Sequence, residues 1–393
     1  MVDVEILWEA KKISNWVKEV RRDFHKNPEL GLEEFRTQEK IISYLEEMQI
    51  PYRTIANTGL MGIIKGHGAG RTVALRADMD ALPIEDKKNV SYQSRLKGKM
   101  HACGHDAHLA ILLGAAKILK SKDMYLKGDI KLLFQPAEET VGGAKPMIEE
   151  GALVDPQVDV VLGLHVSPEI NTGCIAVKYG QMNAASDTLT ITIYGKSAHG
   201  AHPDLGADAI VIAGQVLSTL QTVVSRGADP RRSAVITIGK ILGGDQNNII
   251  ANKVEMIGTM RTLDQKTRER LVKQVKEIVE SVPKAMGGKG ELIREEGYAP
   301  LVNHNNIVKL IENNGRNLLG ENKVRVNELP SYGVEDFGYF IENTPGAFFQ
   351  LGCRNEKKGI IHDLHNDLFD IDEDCLATGV AMQIANVISL LNN

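Results

Sequence analysis

Residues 100–108 read Met-His-Ala-Cys-Gly-His-Asp-Ala-His, placing three histidines, a cysteine and an aspartate within nine positions. No core helix or strand needs that composition. Cys103 and His105 are one residue apart, so they share a face only where the backbone is extended or turning. A thiolate and an imidazole converging from a turn are good ligands for a transition metal. Further residues of ligand type occur elsewhere in the chain.

Their placement follows from the pattern around them. Residues 41, 42, 44, 45 and 48 are apolar at helical spacing. Thr72–Arg76 is a short apolar strand leading into Asp78 and Asp80. Leu109–Leu119 is apolar with small residues and predicts a buried helix. Asp129–Phe134 predicts a strand running into Gln-Pro-Ala-Glu-Glu, and Val158–Leu164 another that ends at His165. Strands alternating with helices predict a layered α/β domain with a largely parallel sheet. In such sheets ligands bind outside the carboxyl ends of the strands. Asp78/Asp80, Glu138/Glu139 and His165 all follow strand ends.

The pattern changes near residue 183. Thr188–Tyr194 alternates strictly, then a helix (207–224), two strands (234–241 and 254–261), a helix (265–282) and a short strand (291–294) follow. The order βαββαβ predicts a ferredoxin-like α+β domain. From about residue 298 helix–strand alternation returns, with an apolar strand at Ala347–Leu351. At 393 residues, more than one domain is expected, because single cores stop growing at roughly 250–300 residues. The predicted organisation is a first part over 1–182, an inserted satellite over 183–297 and a second part over 298–393.

The candidate metal ligands are Cys103, His105, Glu139, His165 and His365. Taken singly, a strand-end histidine is more often structural, a Glu-Glu pair is more often solvated, and a lone cysteine is more often an inert core thiol. Together, at one predicted sheet edge, they predict a metal site. Mixed sulfur, nitrogen and oxygen donors suit Zn²⁺, Co²⁺, Ni²⁺ or Mn²⁺ better than Ca²⁺ or Mg²⁺. Five ligands exceed what one four-coordinate catalytic zinc with an open position takes, so two ions sharing a bridging Cys103 are expected. Glu138, beside Glu139, is placed to accept a proton from a bound water. The alternative is a residue that only balances charge or caps a turn.

Composition narrows the function classes. The net charge of −5 argues against nucleic acid as the main partner. The first residues lack a signal-peptide pattern, and no stretch approaches a membrane span of about 20 apolar residues. The four cysteines form no CxxC pair, which predicts free thiols and a cytoplasmic protein.

The segments MHACGHDAH, RADMDALP, LLFQPAEE, GLHV, GKSAHGAHP, GGDQNNII, EDFGYF and LHND resemble, in order, the motifs of the M20 metallopeptidase family. The branch resembled is the amidohydrolases that include hippurate hydrolases, auxin-conjugate hydrolases and N-acyl-amino-acid aminoacylases. The resemblance runs over about residues 15–390. It implies a zinc-peptidase-like α/β catalytic domain with a ferredoxin-like satellite that often makes the dimer, and so a homodimer or higher homo-oligomer. By the same resemblance Cys103, His105, Glu139, His165 and His365 match metal ligands, Glu138 the general base, and Asp80 a residue orienting ligands. His199 and Asn248 match residues that approach the substrate carbonyl, and Arg261 a carboxylate contact. Asp78 stands where other branches carry a histidine, Ala251 where proline is common, and His202 is a second histidine near His199.

The implied activity is hydrolysis of N-acyl-L-amino acids at two divalent ions, with manganese or zinc favoured. Peptide cleavage, as a carboxypeptidase or dipeptidase, and deacetylation of N-acetyl-diaminopimelate use the same chemistry on other substrates. A metal-loaded protein without catalysis is the non-enzyme alternative. It is disfavoured because a protein that has lost catalysis usually loses the base or a ligand, and here every matched position is filled.

Overall fold

The computed structural model of the chain describes residues 3–392. In chain order the strands are β1 (Tyr52–Ile55), β2 (Gly59–Ile64), β3 (Arg71–Asp78), β4 (Gly128–Gln135), β5 (Val160–Asn171), β6 (Ile175–Val177), β7 (Gly180–Asn183), β8 (Ala185–Tyr194), β9 (Ala234–Gly243), β10 (Lys253–Thr262), β11 (Lys289–Glu296), β12 (Leu301–Asn303), β13 (Val324–Val326) and β14 (Gly346–Arg354). The α-helices are α1 (Asp3–Lys12), α2 (Ser14–Lys26), α3 (Phe35–Glu47), α4 (His105–Lys120), α5 (Ala144–Glu149), α6 (Ala209–Thr222), α7 (Gln265–Ala285), α8 (Asn305–Leu319) and α9 (Cys375–Asn392).

The chain forms two compact units. The first takes the chain up to Gly180, Val302–Leu329 and the stretch from Asp336 onward; the second takes Gln181–Leu301 and Pro330–Glu335. That last hexapeptide is not marked by any hydrophobic period. It joins the second unit through backbone bonds, Ser331 N–H to Met182 O at 2.8 Å and Ala184 N–H to Gly333 O at 3.1 Å.

The first unit is built on an eight-stranded sheet of order β1-β2-β4-β3-β5-β14-β6-β13. The central strands β4, β3, β5 and β14 run parallel. β3 and β4 bury nearly every residue, as strands covered on both faces must. The edges are mixed: β2 is antiparallel to β4 and β1 to β2, and β6 is antiparallel to β14. The link from Ile55 to Gly59 explains the pairing of β1 with β2. It turns through Ala56 and Asn57 at positive φ (51° and 65°), and is far too short for the crossover that a parallel pair needs.

α4 and α9 pack on each other and on β3. Both are buried almost all round, as core helices are. α9 is long and apolar enough to cross a membrane, contrary to the expectation that no stretch approaches this. The core takes it up, with 72% of its 18-residue length buried inside the protein. The 19-residue stretch Ala209–Gly227 also passes by length and composition, and it packs one face on the second unit's sheet.

The second unit has the expected βαββαβ order, as β8-α6-β9-β10-α7-β11. Its antiparallel sheet is ordered β11-β8-β10-β9. Leu189, Ile191 and Ile193 alternate along β8 onto one face. There they meet Ile212, Val216 and Leu220 of α6 and Leu271, Val275 and Val279 of α7. The edge strand β9 leaves Val235, Ile241 and Leu242 exposed.

Candidate active site

The turn predicted between Cys103 and His105 is made by Gly104, at φ 88° and ψ 16° in the left-handed region. α4 starts at His105 rather than at Leu109, so the imidazole leaves from the first residue of a helix. A side chain at position 104 would meet Val166 Cγ2 at 2.3 Å, so both conformation and space call for glycine here. The turn carries Cys103 Sγ to 3.3 Å from His165 Nε2.

His165 differs from expectation in its setting. It does not end its strand: β5 runs on to Asn171. The β3–β5 ladder stops at Arg76↔Gly163, but β14 continues to pair, with Gln350 opposite His165. The histidine therefore clears its β3 neighbour while held by the β14 ladder, a long-range pairing that the local apolar run does not reveal. Glu138 and Glu139 follow a turn at Ala137, which takes a positive φ of 54°. Glu34 accepts the Ala137 N–H at 2.8 Å and so braces that turn. His365 also has positive φ, 62°, and its N–H bonds Ala102 O at 2.8 Å.

The imidazoles are aimed. His105 Nδ1 donates to Asp80 O at 2.8 Å, and His165 Nδ1 to Val166 O at 2.7 Å, which turns each Nε2 inward. His105 Nε2 is 3.9 Å and His365 Nε2 3.1 Å from Glu139 Oε1. Asp80 braces two of these groups, with Oδ1 3.2 Å from His105 Nδ1 and Oδ2 accepting the Glu139 N–H at 2.9 Å. His105 Nε2 is buried, and no hydrogen bond holds it to a neighbouring side chain.

The electrostatics agree. Burial and the neighbouring Glu139 carboxylate push the Cys103 thiol well above its ordinary value. Burial would lower His105, but the Asp78 carboxylate overrides it and holds the imidazole well above its usual range. Burial would raise Glu139, yet His365 and His105 hold it down to about 2. A cluster that keeps protons on a thiol and an imidazole beside a carboxylate is one where a cation can replace those protons.

Ligand-type atoms gather into two triads that share Cys103: Cys103, His105 and His165, and Cys103, Glu139 and His365. Glu138 groups with His105 and Glu139, its carboxylate within 4.8 Å of theirs. In a further cluster, Asp78, His105 and His108, the aspartate and His108 are already satisfied. His108 Nδ1 lies 2.6 Å from Asp78 Oδ1, its Nε2 accepts the Val166 N–H at 2.9 Å, and Arg76 Nη1 donates to Asp78 at 2.7 Å. These groups brace the strand of His165. Sequence reasoning assigned His108 no role, although its place three residues after His105, one turn along α4, was a usable signal.

The model of peptidase family M20/M25/M40 matches residues 74–387. The chain belongs to this family. The N-acetyl-L-cysteine deacetylase of Bacillus subtilis is 42% identical over 359 residues, 91% of this chain and 84% of the relative. Thermostable carboxypeptidase 2 of Saccharolobus solfataricus is 39% identical over 377 residues, 94% of each. Among solved structures, a Bacillus subtilis protein described as a dinuclear metal binding peptidase of the M20 family superposes with a TM-score of 0.85 at 31% identity, over 97% of this chain and 99% of that one. The family resemblance, the α/β fold and the hydrolase class expected from the motifs are thus borne out, and the chain is an M20 amidohydrolase or peptidase.

The remaining matched residues of this M20 chain lie in its second unit. His199 pairs with Ile249 as a β-bridge, and Gly200 N–H bonds Asn248 O at 2.8 Å, so the His199 and Asn248 loops are neighbours. His199 Nδ1 accepts the Ala201 N–H at 3.0 Å. Arg261 is not with them. It pairs with Ser186 at the start of β8, whereas these loops adjoin the other end, where Lys253 pairs with Tyr194. Eight residues of extended strand separate Arg261 from Lys253, roughly 26 Å. Burial lowers the pKa of Arg261, with Asp187 opposing.

Proposed function

We propose that this chain hydrolyses the amide bond of N-acyl-L-amino acids to a carboxylate and a free amino acid, at a centre of two divalent ions, manganese or zinc. The observation that carries this is the pair of triads sharing Cys103, with the Glu138 carboxylate beside them. Cys103, His105 and His165 would hold one ion and Cys103, Glu139 and His365 the other. Ions bound there would supply Lewis acidity toward an amide carbonyl and toward water near neutral pH.

The residues supply the rest. Glu138 takes the proton from water and hands it to the departing amine, its burial (7% exposed) keeping bulk water from competing for that proton. Asp80 holds His105 and the Glu139 backbone in register, so ligand geometry persists while charge develops. His199 donates to the oxyanion of the tetrahedral intermediate, Asn248 approaches the same carbonyl, and Arg261 pairs with the free carboxylate of the amino acid.

One chain's His199 and Arg261 lie too far apart to reach the same small substrate. The reading therefore places them at composite sites of a homodimer, each site taking His199 from one chain and Arg261 from the other. The exposed apolar residues of edge strand β9 support such an assembly, since a bare edge invites pairing. The four free cysteines support a reducing, cytoplasmic location.

Carboxypeptidase action is the second reading, favoured by the likeness to the Saccharolobus enzyme. Metal-reconstituted protein assayed on N-acetyl, N-benzoyl and longer N-acyl amino acids, with dipeptides alongside, decides between them. Cleavage of acyl amino acids well ahead of dipeptides supports the proposal. The reverse preference supports the carboxypeptidase, and no hydrolysis of either refutes both.

A further inference from the structure

A buried charge cluster beside the ligand turn has no part in the chemistry above. Arg21 stands on α2 one helical turn after Val17, on the core-facing side with Val20 and Phe24, where an aliphatic residue is the ordinary choice. Its side chain is wholly enclosed. The guanidinium donates Nε to Asp106 Oδ2 at 2.7 Å, Nη2 to Asp370 Oδ1 at 2.9 Å and Nη1 to Glu373 Oε1 at 3.4 Å. His25 Nδ1 lies 2.6 Å from the same Asp106 oxygen, and the Tyr92 hydroxyl donates to the other oxygen of Asp370 at 2.7 Å.

The partners sit at informative places. Asp106 directly follows His105 in the first turn of α4. Asp370 and Glu373 follow His365 on a stretch with neither helix nor strand. No ladder fixes that stretch, and single backbone bonds, His365 N–H to Ala102 O at 2.8 Å and Asp372 N–H to Cys353 O at 2.9 Å, are joined by the Arg21 fork in holding it; it begins at a histidine with φ 62°, a conformation that persists only where tertiary contacts enforce it. One planar fork thus grips both segments that carry Cys103, His105 and His365. Buried ion pairs add little net stability, because desolvation offsets their attraction. What a guanidinium fork supplies is fixed distance and direction between the groups it joins.

We propose that Arg21 is a positioning residue of the metal centre, setting the spacing between the Cys103–His105 turn and His365 by bridging Asp106 to Asp370. This rests on the reading of those three residues as metal ligands. The test is Co²⁺ titration of the metal-free full-length chain, read by the thiolate-to-cobalt absorption band, with thermal melting of each metal-free protein. Four proteins are compared: wild type, Cys103→Ser, Arg21→Lys, and the combined Arg21→Met, Asp106→Asn, Asp370→Asn.

In the combined variant the guanidinium leaves with its two nearest carboxylates while Glu373 keeps Arg22, which donates to it at 2.9 and 2.6 Å, so the metal-free protein melts close to wild type. Its Co²⁺ affinity falls by about 10- to 100-fold and its absorption band moves. Arg21→Lys keeps a charge but cannot span both carboxylates, and it loses affinity in the same direction. A folded combined variant with wild-type Co²⁺ affinity and band overturns the proposal. Should the combined variant fail to fold, Arg21→Lys decides in the same way. If wild type has no thiolate band and Cys103→Ser binds Co²⁺ equally well, the ligand reading itself has failed and takes this one with it.

Discussion

Gly104→Ala tests whether the ligand turn is held as tightly as its geometry implies. A left-handed conformation costs a residue with a side chain about 1–2 kcal/mol. The new methyl group would lie 2.3 Å from Val166 Cγ2, inside a normal carbon contact of about 3.5 Å. Val166 is 1% exposed and β-branched, so it has no room to turn away. Overpacking of this kind costs about 1–3 kcal/mol. If the fold absorbs both, the metal-free protein loses about 2–5 kcal/mol in urea unfolding. If instead the turn yields, it must open by about 1.2 Å, against a tolerance near 0.2 Å for ligand distances, and metal affinity collapses. Adding Val166→Ala removes the clash and leaves the backbone share. A double-mutant cycle should therefore return a coupling of about 1–3 kcal/mol in the relieving direction. Gly104→Ala within about 0.5 kcal/mol of wild type, with unchanged metal affinity, would refute the reasoning.

Metal analysis after titration with Mn²⁺ or Zn²⁺ should plateau near two ions per chain; a plateau at one with full activity rules out the shared-thiolate centre. Cys103→Ser should lose metal and activity together, because an alcohol bridges poorly, while Ser at Cys174, Cys353 or Cys375 should cost packing alone. Retained metal in Cys103→Ser removes it from the ligand set. In the metal-free chain Cys103 and His105 both have raised pKa values, so near neutral pH each holds a proton that an ion must displace. Affinity should then rise with pH, by up to about tenfold per unit for each proton released, and isothermal titration in buffers of different ionisation heat counts them. A flat profile contradicts this. His199→Ala should lower kcat by about 10²–10³ with metals bound. Mixed with Arg261→Ala or Glu138→Ala protein, it should regain part of the activity through one intact composite site. No rescue despite confirmed subunit exchange confines the role to one chain.

Much of the site was legible in the sequence because its donors are chemically costly to leave anywhere else. A cysteine, three histidines and a Glu-Glu pair in polar segments next to apolar runs have few other uses, and the structure brings Cys103, His105, Glu139, His165 and His365 together. The layered α/β unit and the βαββαβ unit were readable from their periods. What escaped were features set by partners distant in the chain. β5 outruns its apolar stretch because β14 pairs with it, and residues 330–335 join the second unit through backbone bonds that leave no hydrophobic trace. The opposite placement of His199 and Arg261 needed the register of β8 on β10. Arg21 is one polar residue on an amphipathic helix, and only its enclosure sets it apart.

The sheet order of the first unit also dictates a sequence of events. β14 lies between β5 and β6, although it is synthesised long after both. A nascent chain that has reached β6 holds an open seam where β14 will later sit, and it has Cys103, His105, Glu139 and His165 but no His365. The triad of Cys103, Glu139 and His365 therefore cannot close until the strand has been inserted and the segment beyond it has emerged. Contacts of such long sequence separation form slowly. A half-made unit thus lacks one of the two triads that share Cys103, and closure of both marks that the last strand has gone in.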